Sequence, residues 1–166
     1  MSNDNNQPVL KKAGTAIGVG LIAGLAGTLV MTICQKIDMK MSGRKPSQTP
    51  SNAVREALDI QPVSESKAQE VSNKIHWVYG TSLGMVRGII NLFGLKGLAA
   101  HSAFFATAWG AELCMLPALR VAPPVIKETP EVIGKDALFH LVYALSAGLV
   151  FDAIMADNCA VSNGND

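Results

Sequence analysis

Four stretches of the chain are apolar over the length that a helix needs to cross a bilayer, and the polar residues gather between them. A helix rises about 1.5 Å per residue, so about 20 mostly apolar residues span the hydrocarbon core. Residues 13–34 reach that length without a single charge, and Gly14, Gly18, Gly20, Gly24 and Gly27 recur through them, mostly three or four residues apart. Small residues so spaced let helix backbones approach closely in lipid, where burial of apolar surface supplies no drive. Residues 75–93, 98–119 and 137–155 form three further, less apolar spans. The pattern predicts an all-α integral membrane four-helix bundle. A polar tail, 1–12, precedes a transmembrane domain, 13–155, which contains a long loop, 35–74, and a second polar tail follows at 156–166.

A cleaved signal is the other reading of the first span. Its apolar run is longer than a usual signal core, and Met31, Thr32 and Ile33 before Cys34 give neither a small-x-small cleavage site nor a good lipobox. Residues 91–97 leave room only for a tight turn, which makes spans two and three an antiparallel hairpin.

Orientation follows from Lys and Arg. Lys36, Lys40, Arg44, Lys45, Arg55, Lys67, Lys74, Arg120, Lys127 and Lys135 flank one side, against Lys11, Lys12 and Lys96 on the other. This places both long loops in the cytoplasm and both termini outside, in a multi-pass protein of the bacterial inner membrane. Within 35–74, Thr49 should cap a short helix with Pro50 at its first position, and Val54, Ala57 and Leu58 should rest on the membrane surface. After Pro62, Ser64 or Ser66 should cap a helix that runs unbroken into span two, with Glu70 and Lys74 spaced as an i,i+4 pair.

Self-comparison points to an internal duplication. Residues 76–84 match 140–148 at His76/His140, Val78/Val142, Tyr79/Tyr143, Ser82/Ser146 and Gly84/Gly148. Cys34 and Cys114 close the preceding spans, and each is followed at the same distance by Thr-Pro, at Thr49-Pro50 and Thr129-Pro130. Two hairpins related by a pseudo-twofold axis along the membrane normal would result, with span two meeting span four near that axis.

Ionisable groups are costly in hydrocarbon and turn to a bundle interior, a cavity or one another. His76, Arg87, His101, Glu112, His140 and Asp152 are the ones inside the spans. His76, Gly80, Gly84, Arg87 and Asn91 share one helical face, and so do His101 and Glu112. Both His76 to Arg87 and His101 to Glu112 are eleven residues, so folding the hairpin about Gly94 levels His76 with Glu112 and Arg87 with His101. The repeat puts His140 at the depth of His76. One layer, His76, Glu112 and His140 with Tyr79 and Tyr143 beside it, is expected in the cytoplasmic half. A second, Arg87, His101 and Asp152, is expected about 16 Å further out as an ion-pair layer. His140 and Asp152 lie about 120° apart around span four, so they face different neighbours. Pro117 should kink or end span three.

Three uses are open to the first layer: fixing helix register through hydrogen bonds, passing a proton or cation, or binding a divalent metal through His76, Glu112 and His140. Composition removes other classes. A chain of 166 residues with 49% hydrophobic and 16% charged residues fits one domain, and its formal charge of +1 offers no field for nucleic acid. Cys34, Cys114 and Cys159 form no CxxC pair. HExxH, GxSxG and Walker motifs are absent, so no catalytic residue and no cofactor is identified.

The Gly-rich first span, Gly43-Arg44-Lys45-Pro46-Ser47 after it and His140-Leu141-Val142-Tyr143 at the start of the last span resemble small bacterial inner-membrane proteins of the YagU-like type. The resemblance, over 14–154, implies a polytopic inner-membrane protein and carries no catalytic residues. The function expected is proton or cation handling, or assistance to solute transport, through the His76, Glu112, His140 layer. Homo-oligomerisation through the glycine face of span one is expected with it. The alternative is a structural or accessory subunit whose loop 35–74 recruits a cytoplasmic protein partner.

Overall fold

The computed structural model describes residues 7–59 and 64–163, so the outer parts of both tails, 1–6 and 164–166, and Pro62 lie outside the described residues. Those residues form five α-helices and no strand: α1 (Gln7–Ser42), α2 (Thr49–Leu58), α3 (Glu65–Leu92), α4 (Gly97–Ala118) and α5 (Pro130–Asn163), with a 3₁₀ turn at Val125–Lys127.

The helices outrun the apolar stretches that announce them. α1 begins inside the expected N-terminal tail and continues through Gln35–Met41, because Lys36, Met39, Lys40 and Met41 are good helix formers and nothing breaks the run until Gly43, at φ +70°. α5 likewise starts before residue 137 and ends beyond 155. Two helices, α1 over Val9–Ser42 and α5 over Pro130–Asn158, are long and apolar enough to cross a membrane. α3 opens with polar turns and carries His76 and Arg87, and α4 carries His101 and Glu112, so neither has that composition.

The segment between α1 and α3 is folded. Gln48, rather than Thr49, is the N-cap of α2, and its carbonyl accepts from Asn52 N at 3.0 Å, with Thr49 and Pro50 already in the first turn. Asp59 ends the helix in the left-handed region, at φ 52°. α2 buries Ser51 and Ala53 against α3, and Ser72 Oγ donates to the Ser47 carbonyl at 3.0 Å. Of the face expected to rest on the membrane surface, Val54 is half-buried while Ala57 and Leu58 stay exposed. Ser64 is the N-cap residue of α3, and Lys74 Nζ meets Glu70 Oε1 at 2.6 Å. The connection from α3 to α4 is tight, with Gly94 and Gly97 at φ +84° and +53°, and α4 ends one residue after Pro117.

α1 is the centre of the bundle, flanked antiparallel by α3 on one side and α5 on the other. Its small residues explain this. A Cβ on Gly20 would lie 2.6 Å from the Gly84 carbonyl oxygen, and one on Gly24 2.5 Å from that of Thr81, so α1 and α3 touch backbone to backbone. Gly27 meets Tyr143 and Ala147 of α5 in the same way. Close approach of backbones gains dispersion contacts that larger residues would forbid. Part of the glycine face expected to join two copies is thus occupied within one chain, while Gly14 and Gly18 have nothing within 4 Å. α4 leans chiefly on α5. The parallel pair α3 and α5, expected to form the central contact, touches at few points, which include Tyr143 to Gly80 and Arg87 to Asp152. Val19, Ala23, Phe104, Ala108, Ala144, Ala147 and Phe151 fill the middle.

Apolar side chains also cover the outside. Ile22, Leu29 and Ile33 of α1, Val78 and Ile89 of α3, and Leu138, Leu145 and Leu149 of α5 all face outward, Val78 at 68% and Leu149 at 64% exposure. Arg87, at 1%, and His140, at 6%, are inside.

Candidate functional site

At the end of the bundle that carries α2, the helices part around a cavity of about 1210 Å³. It runs from Arg44 and Ser47, and from Glu131 and Lys135, to a floor at Thr28, Gly80 and Tyr143. That depth is about 18 Å along α5. Tyr143 closes it: the ring is buried against Phe104, centroids 5.6 Å apart, and Oη donates to the Gly80 carbonyl at 2.7 Å.

His76, Tyr79, Glu112, His140 and Tyr143 all line this cavity, and Asp136 joins them. His140 is the pivot. Its Nδ1 lies 2.9 Å from the carbonyl oxygen of Asp136, one helical turn earlier, and a carbonyl only accepts, so Nδ1 carries a proton. Its Nε2 is 2.5 Å from Glu112 Oε2, across from α4. Asp136 Oδ1 is 3.5 Å from Nδ1, and Asp136 Oδ2 accepts from Trp109 Nε1 at 2.8 Å. Trp109, stacked on Phe105, stands one turn before Glu112 on α4, so α4 supplies both a ligand-type carboxylate and a donor that aims its neighbour.

His76 is turned elsewhere. Its Nε2 is 3.2 Å from Thr32 Oγ1, whose single hydrogen goes to the Thr28 carbonyl at 2.6 Å, so His76 donates to Thr32. Its Nε2 is thus occupied as a donor, and the ring is not among the groups whose ligand atoms converge. The triad that converges is Glu112, Asp136 and His140, with ligand atoms all within 4.8 Å of one another, instead of the expected His76, Glu112 and His140. Asp136 lies one residue before the expected start of span four at 137, and so falls outside the spans searched for ionisable groups. Its position four residues before His140, on the same helical face, was the available signal.

The second expected group also comes together. Arg87 pairs with Asp152 across α3 and α5, and its guanidinium carbon lies 4.4 Å above the Phe151 ring. His101 Nε2 is 3.6 Å from Asp152 Oδ2, and the ring rests on the bare backbone of Gly148. The packed core separates this layer from His140 by about 18 Å along α5. Outside both, the Lys74 ammonium holds the Glu70 carboxyl below its usual range.

Comparison of the chain with protein-family models, with curated proteins and with solved structures returns no match.

Proposed function

We propose that this is a multi-pass protein of the bacterial inner membrane, of the YagU-like kind, that takes up protons or other cations from its cytoplasmic side at His140. The observation that carries the reading is the pairing of His140 Nε2 with Glu112 Oε2 at 2.5 Å inside an open cavity. With Nδ1 protonated against a carbonyl, Nε2 and a carboxylate oxygen are both acceptors, and two acceptors stay this close only with a proton or another cation between them. Supporting the membrane setting, the bundle is apolar outside and keeps Arg87 and His140 inside, the reverse of a water-soluble protein. All four long helices then cross the bilayer, α3 and α4 with their polar groups turned inward. The excess of Lys and Arg on the α2 side makes that side cytoplasmic and both termini external.

The site opens in one direction. Passage to the other side requires the Tyr143 to Gly80 bond to break and α1 to loosen from α3, so an exchange of conformations carries the cation across. The 64-residue offset between His76 and His140, near the offsets of Gly80 from Tyr143 and Arg87 from Asp152, supports descent of α3 and α5 from one repeated unit.

The test is flux. In proteoliposomes with an imposed pH gradient and a pH-sensitive dye inside, the full chain should dissipate the gradient and His140→Gln should not. Equal dissipation by both, with both folded, would overturn the proposal. A second reading, an accessory subunit, is favoured by outward Leu58 and Ile126 beside the cavity mouth, and predicts capture of a cytoplasmic partner that Leu58→Glu abolishes.

A further inference from the structure

The cation-handling reading leaves open which cation the cavity takes, and the chemistry around His140 answers that. This step rests on that reading. Glu112 and Asp136 are two carboxylates whose ligand atoms come within 4.8 Å of an imidazole, on α4 and α5, and neither is paired with a Lys or Arg among the described residues. The nearby Lys135 points instead to Asp38 and Glu131. Two half-buried carboxylates beside a buried imidazole concentrate negative charge at one end of the cavity, where solvation is incomplete and a cation is favoured. A divalent ion with a neutral imidazole brings the cluster to zero.

The arrangement also has what a metal site needs beyond ligands. The Nδ1 hydrogen bond to the Asp136 carbonyl fixes the His140 tautomer that offers Nε2, and Trp109 Nε1 holds the Asp136 carboxylate in place. Three protein ligands facing a water-accessible cavity leave a coordination position open, the pattern of an exchangeable rather than a structural site. Around an ion with bonds of about 2.0–2.2 Å, tetrahedral ligand atoms stand about 3.3–3.6 Å apart, so Glu112 would draw back from His140 by about 1 Å. One imidazole and two carboxylates without a thiolate suit Zn²⁺, Mn²⁺ or Fe²⁺, and disfavour copper(I). Cys114, exposed on α4, is not one of the three converging residues.

We infer that Glu112, Asp136 and His140 form a binding site for a divalent transition-metal ion, entered from the cavity on the α2 side.

The test uses the full chain in detergent, stripped of metal and titrated with Zn²⁺ and with Mn²⁺ by calorimetry. Saturable binding of either ion should be weakened tenfold or more by Glu112→Gln, Asp136→Asn or His140→Gln, and by about 10–100-fold by Trp109→Phe, which removes only the aiming hydrogen bond. His76→Gln should bind as the wild type does. In a Trp77→Phe background, Mn²⁺ should quench Trp109 fluorescence and Zn²⁺ should reverse it, a measurement that needs no ligand variant to fold. Absence of binding and of quenching overturns the inference, as does binding that survives Asp136→Asn but not His76→Gln. If no metal binds while His140-dependent proton flux persists in chelator, the broader reading stands and this one fails; if both are absent, both fail.

Discussion

Gly84 sits where α3 crosses α1, and Gly84→Ala is the sharpest probe of that contact. The added methyl would meet the Gly20 carbonyl oxygen and the Gly24 backbone at once. Neither can rotate away as a side chain would, so the two helices must separate. Overpacking costs about 1–3 kcal/mol, and backbone on both sides puts this case at the upper end. The better helix propensity of Ala returns about 1 kcal/mol, leaving a net loss of about 1–2 kcal/mol. For a chain of this length that lowers Tm by about 2–8 °C. The assay is thermal unfolding of the purified chain in mild detergent, followed by intrinsic fluorescence. Gly18→Ala is the control: nothing lies within 4 Å of it, so its Tm should stay level or rise slightly. A wild-type Tm for Gly84→Ala together with a drop for Gly18→Ala would move the glycine contact from within one chain to between copies, and the packing described above would be wrong.

Other perturbations give separate readings in the same assay. Asp152→Ala leaves the Arg87 guanidinium, 1% exposed, without its carboxylate and over the Phe151 ring, and because Asp152 itself is half-exposed the cost should fall at or below the low end of the range of about 3–5 kcal/mol for a buried pair broken on one side; Arg87→Met with Asp152→Leu should recover most of it. Tyr143→Phe removes the bond to Gly80 at the cavity floor and should cost about 1 kcal/mol, with proton entry faster rather than slower if that bond is the barrier. Glu70→Gln should leave Tm unchanged, because the Glu70 to Lys74 pair is solvent-exposed. Since Lys74 lowers the Glu70 pKa on folding, any contribution of this pair is present above the ordinary glutamate value and is lost as pH falls through the lowered one.

Much of this architecture is legible in the chain because lipid-type composition is a coarse signal. Helical content, the Gly94 turn, the end of α4 at Pro117 and the run of α3 from Ser64 all follow from local rules that act within a turn or two. Helix ends were harder. α1 passes through Gln35–Met41 because polar residues of good propensity do not stop a helix, although they do end an apolar stretch. Partner choice was harder still. The glycines of α1 announced close packing but not with what, and the intramolecular fit of Gly20 and Gly24 to Gly80 and Gly84 depends on matched spacing across two segments more than fifty residues apart. In the site, equal spacings pointed to Glu112 with His76 and to Arg87 with His101, and the repeat added His140, which is the residue that meets Glu112. The rotamer that sends His76 to Thr32, and the reach of Trp109 to Asp136, are set by tertiary packing and leave no trace in spacing.

The account depends above all on four helices crossing a bilayer with the α2 end in the cytoplasm. In a chain with Cys34, Cys114 and Cys159 replaced by Ala, single cysteines at Ser47 and at Lys96 are treated in intact spheroplasts with a membrane-impermeant maleimide. Lys96→Cys should react at once, and Ser47→Cys only after the membrane is permeabilised. Reaction of both sites before permeabilisation, or of neither, or recovery of the chain in the soluble fraction, would contradict the account.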